Sequence, residues 1–278
     1  MKKLALGIVF GVMAASASAD FWSNGSLVTH AGIGSGGGDI SAVSADNRGT
    51  TFGLNVNANG NPPGPFWAGD DLVAGDNWRL SNVKVYAYET NLTAPSINEA
   101  YIAIWAGDPR NGGSMIYGEM ASGNRINRFD SAAFAVSENG RALYRTGNST
   151  SSATNTTRRV SEVTIGLGAG VDLMAGQQYY FMWSLGSSQG TANPPVATPP
   201  LAGSRNGTAN GLVWFEGGEP VPGSGTSWGV AAISSSNLDG SRVDLPFGVT
   251  YTVVPEPGTM IAVGAGLVAL AARRRRKA

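Results

Sequence analysis

Apolar residues recur along this chain in short runs with a period of two, separated by Gly, Pro, Asn and Ser. In WRLSNVKVYAYE (78–89), Val83, Val85 and Ala87 alternate with Lys84, Tyr86 and Tyr88. AYIAIWAG (100–107), RVSEVTIGL (159–167), QQYYFMWSL (177–185), GLVWFEG (211–217), SWGVAAIS (227–234) and PFGVTYTV (246–253) share this habit. Each is of strand length and rich in β-branched or aromatic residues, so each predicts a strand with alternate side chains on opposite faces. Clusters of Pro and small polar residues at 57–66, 146–157, 191–204 and 216–225 predict the loops. No long 3.6-residue pattern and no fixed repeat interrupts this middle part, which argues against a propeller or β-helix. The expected fold class is all-β, an antiparallel jelly-roll-like β-sandwich.

The two ends read differently. Lys2 and Lys3 precede an apolar run from Leu4 to Ala15, and Ala17-Ser18-Ala19 precedes Asp20. This is the charged, apolar and A-x-A order of a secretory signal peptide, so signal peptidase is expected to cut after Ala19 and leave Asp20 first. At the other end, residues 258–272 carry no charge and are followed by Arg273, Arg274, Arg275, Arg276 and Lys277. At ~1.5 Å per residue the apolar segment makes a helix of about 22 Å, short of the roughly 30 Å hydrocarbon core. Arginines snorkelling to the interface or local thinning would let it span, with the basic block on the cytoplasmic side. The expected organisation is a signal peptide helix at 1–19, an exported domain at 20–254 and a tail with a transmembrane helix at 255–278.

Pro255-Glu256-Pro257, the apolar segment after it and the arginine block together resemble the PEP-CTERM sorting segment of bacterial surface and matrix proteins. Two prolines keep that tripeptide extended, as a protease substrate must be. The resemblance implies an exosortase-type membrane peptidase as partner, with Pro255, Glu256 and Pro257 as substrate positions. It also implies transient inner-membrane anchoring in a Gram-negative-type bacterium, followed by release to the envelope, surface or medium. The stretch 66–90, followed by AYIAIWAGDPRNGGSMIYGE, is similar to a β-sandwich region of other exported proteins with this tail.

Charge and composition narrow the chemistry. With the terminal segments set aside, the middle holds 12 basic and 18 acidic side chains, a net of −6. That is no electrostatic footprint for nucleic acid. The chain has no cysteine, so a packed core must hold it without disulfides. Gly32, Gly34 and Gly37 formally match G-x-G-x-x-G but lack the strand, helix and downstream acid of a nucleotide site, so a turn is expected. His30 is the single histidine, which rules out two-histidine zinc motifs within one chain and leaves no Ser-His-Asp signature. Asp70, Asp71 and Asp76, in Gly-rich surroundings, offer the oxygen ligands that calcium favours, though without D-x-D-x-D-G spacing. Among the tryptophans, Trp105 and Trp183 sit in strand-like runs and are expected in the core, whereas Trp67 and Trp228 are the candidates for exposed ligand contact. No catalytic constellation emerges. The expectation is a non-enzymatic structural or interaction protein, with a carbohydrate-binding module or a carboxylate-based polysaccharide hydrolase acting on exopolysaccharide as alternatives.

Overall fold

The structure, a computed structural model, describes residues 18–44, 54–58, 66–121, 123–148, 156–188, 197–198, 211–215, 228–230, 244–255, 264–266, 268, 270 and 272–273. Its strands in chain order are β1 (Asp20–Ser23), β2 (Asp39–Ser44), β3 (Leu54–Asn55), β4 (Phe66–Val73), β5 (Trp78–Tyr88), β6 (Ile97–Ala106), β7 (Ser114–Gly118), β8 (Phe129–Phe134), β9 (Leu143–Asn148), β10 (Val160–Leu173), β11 (Gln178–Ser187), β12 (Ala197–Thr198), β13 (Leu212–Phe215), β14 (Trp228–Val230) and β15 (Phe247–Val253). They form an all-β sandwich. One sheet runs β1-β15-β5-β10-β8 with β3 and β12 at its side; the other runs β14-β13-β4-β11-β6-β7. The pairings in both are antiparallel, as alternation of faces predicts.

The core lies where the inward faces meet. Val83, Val85 and Ala87 of β5, Val163 and Ile165 of β10, and Val249 of β15 face Ile102 and Ile104 of β6 and Phe181, Trp183 and Leu185 of β11. Phe247 is fully buried at the centre, its ring 5.4 Å from Trp22, 5.2 Å from Phe181 and 5.9 Å from Trp183. One side chain of the last strand thus touches β1, its own neighbour in the sheet, and the strand at the middle of the opposite sheet.

The predicted strands fall on β5, β6, β10, β11, β13, β14 and β15, with shifted ends. The sequence reading missed others. Stretch 66–73, which lies outside the predicted strands, is the eight-residue strand β4, with Trp67 and Asp71 facing one way and Ala68, Asp70 and Leu72 the other. A parallel pair, β2 with β9, also departs from the antiparallel expectation. The loop expectation at 146–157 meets β9 as far as residue 148, and β12 occupies 197–198; most of the other predicted loop residues lie outside the described ones.

The G-x-G-x-x-G stretch forms a turn around Asp39, with Ser35–Gly37 in one 3-10 turn. Asp39 accepts from Gly32 N at 2.7 Å, Ser137 Oγ at 2.6 Å, Asn139 Nδ2 at 3.1 Å and Arg141 Nη1 at 3.4 Å. Its burial alone would raise the carboxyl, but these donors together draw it down to about 2. The glycine loop is occupied by the protein's own carboxylate. His30 bridges to Ile40 beside it, its Nδ1 3.0 Å from Thr29 Oγ1.

Truncating the central ring should be severe. Phe247→Ala is expected to cost about 3–5 kcal/mol of unfolding free energy by loss of burial and creation of a cavity. A urea titration checks this, and a loss below about 1 kcal/mol would deny the ring its central place.

Candidate functional site

Two features stand apart from the core: the outer face of the six-stranded sheet and the exit of the chain after β15. The outer face is built by the alternation that builds the core. Inward Phe181 and Trp183 leave Tyr180 and Met182 pointing out; inward Ile102 and Ile104 leave Tyr101, Ala103 and Trp105; inward Ala68 and Leu72 leave Trp67 and Asp71. Apart from Asp71, these outward groups form a second apolar cluster with Leu212, Met120, Trp214 and Trp228.

Trp67, Trp214 and Trp228 stand in successive cross-strand register on β4, β13 and β14. In a flat sheet β14 would lie about 19 Å from β6, four strand spacings away. Yet the Trp228 ring is only 5.8 Å from the Trp105 ring, at 89°, and 6.3 Å from that of Trp214. The edge hairpin therefore curls over the face. Gly69 makes room on that face, since a Cβ there would meet Phe181 O at 2.0 Å and Met182 Sδ at 2.5 Å.

This arrangement corrects the reading of two tryptophans. Trp67, expected to be exposed, is fully buried beneath the others because its register partner Trp214 and the curled hairpin cover it. Trp105, expected in the core, lies half-buried on the outer face because its position on β6 alternates with inward Ile104. Trp183 is in the core and Trp228 is half-buried on the outer face. Among the described residues, the buried indole nitrogens of Trp67 and Trp105 and Nη1 of Arg125 lack hydrogen-bond partners. The Arg125 guanidinium lies 4.3 Å over the Tyr101 ring and donates through Nη2 to Ala58 O at 3.0 Å. The Tyr101 hydroxyl donates to Glu99 Oε2 at 3.1 Å; burial first, and then that bond, raise its pKa. Polar and aromatic groups are thus interleaved on one surface.

The aspartates do not converge on a metal. Asp70 and Asp71 lie inside β4, where adjacent side chains point to opposite faces, and Asp76 is exposed in the turn that follows. Among the described residues no cluster of three His, Cys, Asp or Glu could hold an ion. Asp71 accepts from Gln178 Nε2 at 2.6 Å on the outer side. Asp70 is sealed in the interior, accepting from Leu245 N at 2.6 Å, Asn24 Nδ2 at 3.0 Å and Asp71 N at 2.8 Å. Burial pushes its carboxyl well above the usual range, and the Asp244 charge beside it adds to the push. That this acid is internal was not legible in FWAGDDLV, where two consecutive charges mask the alternation.

At the exit, Val254 N donates to Asn77 O at 2.7 Å, so the chain stays tied to the sandwich one residue beyond β15. Pro255 is exposed; Glu256 and Pro257 lie outside the described residues. Residues 264–266, 268, 270, 272 and 273 are helical and exposed, including Arg273, while Arg274, Arg275, Arg276 and Lys277 lie outside the described residues. No helix among the described residues is long and apolar enough to cross a membrane. At the other terminus Ala19 and Asp20 are exposed, Asp20 opens β1, and Ala17 lies outside the described residues.

Residues 253–276 match the family model of the PEP-CTERM protein-sorting motif. No curated protein and no solved structure matches the chain. The motif marks an exported protein that an exosortase, itself a membrane protein, sorts.

The internal acid generates a pH test. A raised folded pKa means that the native state holds the Asp70 proton more tightly than the unfolded chain does. Its contribution is therefore fully present below the unfolded value of 3.8 and is lost as pH rises through the folded pKa. Asp70→Asn keeps an acceptor for Leu245 N and removes the titration. Unfolding midpoints between about pH 4 and 7 should fall less steeply in this variant than in the parent, leaving it the more stable at pH 7. Parallel profiles would contradict the assignment.

Proposed function

We propose that this is an exported, non-enzymatic interaction protein. It is made with a signal peptide at 1–19, held in the inner membrane by residues 258–272 and cut by an exosortase-type peptidase at Pro255-Glu256-Pro257. The jelly-roll-like domain 20–254 is then delivered to the envelope, the cell surface or the extracellular polysaccharide matrix. The observation that carries this reading is the sorting motif at 253–276, joined to the last strand of a folded domain. Asp70, whose raised pKa would suit a general acid, is enclosed in the core, which favours binding over hydrolysis.

The aromatic face favours exopolysaccharide as the ligand. Indole rings present flat apolar surface to the C–H faces of sugar rings, while the Glu99 carboxylate offers an acceptor for hydroxyls. Trp105, Trp214 and Trp228 keep part of their surface in solvent, as a stacking platform requires. The reading moves the ligand contact from Trp67 to these three and retains Trp228.

Two measurements test the proposal. The intact mass of the protein from its native cells should correspond to a chain that begins at Asp20 and ends near Pro257; retention of Arg273 to Lys277 would refute the cleaved-tail reading. Trp228→Ala should weaken binding to the cells' exopolysaccharide about 30-fold, the effect of losing roughly 2 kcal/mol of aromatic contact. Unchanged binding in that variant and in Trp105→Ala would remove the face from the proposal.

A further inference from the structure

The chain leaves the sandwich at one end, and that end carries exposed apolar side chains. β15 finishes at Val253, opposite Trp78, the first residue of β5, and Trp78 also pairs with Leu173, the last of β10. The turns 73–78 and 173–178 therefore lie beside the exit. They are bound to each other and to it: Gly176 N donates to Ala74 O at 2.7 Å, Ala175 N to Asn77 Oδ1 at 3.0 Å, and Val254 N to Asn77 O at 2.7 Å. On this braced end Val73 is 55% exposed, Met174 67%, and Val253 and Val254 40% each. The charges nearby are Asp76, the exposed Arg79–Asp172 pair and the exposed Asp20.

The sequence fixes how far this end can be from a membrane. Four residues, 254–257, separate the end of β15 from the uncharged segment at 258–272. Even fully extended they reach about 14 Å. The polar zone on each side of a bilayer is about 5–8 Å thick, the difference between its roughly 30 Å core and its full 40–45 Å. A segment of only about 22 Å draws the boundary closer still, since the membrane must thin to meet it. Asp20, paired with Tyr251 on the neighbouring strand, puts the start of the exported domain toward the same end.

We propose that Val73, Met174, Val253 and Val254 form a membrane-resting rim that seats the domain end-on against the outer surface of the phospholipid bilayer while the tail spans it. This rests on the tail being membrane-inserted, as in the proposed function. The contact is apolar. With three aspartates and one arginine around it, the rim has no attraction for anionic headgroups, so seating does not depend on anionic lipid. Its role is to hold the Pro255-Glu256-Pro257 segment at the height of the interface, where a membrane peptidase works.

The chain has no cysteine, so one introduced thiol labels one place. The full chain carrying Met174→Cys, coupled to an environment-sensitive fluorophore, is reconstituted with phosphatidylcholine vesicles. Val136→Cys is the control: it is 62% exposed and lies beyond β8 at the other end of the strands, about 33 Å away along β5. Flotation reports tail insertion independently. The expected result is co-flotation, blue-shifted emission at 174 and several-fold stronger quenching there by spin-labelled lipid than at 136. Adding phosphatidylglycerol should leave this unchanged, and a ten-residue Gly-Ser insertion after Val254 should abolish the shift while flotation persists. Co-flotation with equally aqueous labels at 174 and 136 would overturn the rim while sparing the anchor. Failure to float would overturn the anchor and the rim with it.

Discussion

The fold depends on a ring supplied by its final strand. Phe247 fills the space between Trp22, on the neighbouring strand of its own sheet, and Phe181 and Trp183 of the opposite sheet, so the last strand locks the two sheets together and holds β1 beside it. β15 also completes the first sheet, lying between β1 and β5. Burying an aromatic side chain of this size contributes about 2–3 kcal/mol, and here the contribution requires every other layer to be in place. The sandwich therefore closes only when its C-terminal strand is home. The sorting segment that follows is joined to the part of the molecule least able to yield.

Polar groups inside the sandwich serve this closure. Asp70 receives the backbone N–H of Leu245, two residues before Phe247, and the amide of Asn24, next after β1. One internal carboxyl thus ties the entry of β15 and the exit of β1 to β4. Asp39 does the same for the glycine-rich loop, though with enough donors to keep its charge. The contrast between the two is physical: Asp39 gathers four donors close to the molecular surface, including a guanidinium, while Asp70 lies deeper beside a second acid.

These differences explain what was legible in the chain. Val83, Val85 and Ala87 alternate cleanly with polar neighbours, so β5 and its inward face could be read directly. β4 could not, because Asp70 faces the core and Trp67 and Asp71 face out, inverting the polarity expected of each side. The outer aromatic face was hidden for a related reason. Both sides of β6 and β11 are apolar, and a run such as QQYYFMWSL carries no mark of which side meets the other sheet. Register decided it: Trp67 is buried by Trp214 opposite it and by a hairpin that curls, neither of which is local in sequence. The tail was the most legible part, since order and spacing alone define it, and the family match at 253–276 coincides with the segment those features mark.

A rigid exit and a short connection constrain how the tail can be processed. A flexible spacer would let a folded domain drift away from the membrane while its cleavage segment sampled many positions. Here Val254 is still hydrogen-bonded to Asn77, and the next residue begins the Pro-Glu-Pro segment. The two prolines cannot donate to a further strand pairing, so the ladder ends at the point where a peptidase needs an unpaired backbone. In the proposed reading, release would separate the domain from the apolar segment and basic block that follow it. The aromatic face lies on the broad side of the sandwich and not at its exit end, so the proposed membrane seating would leave it clear.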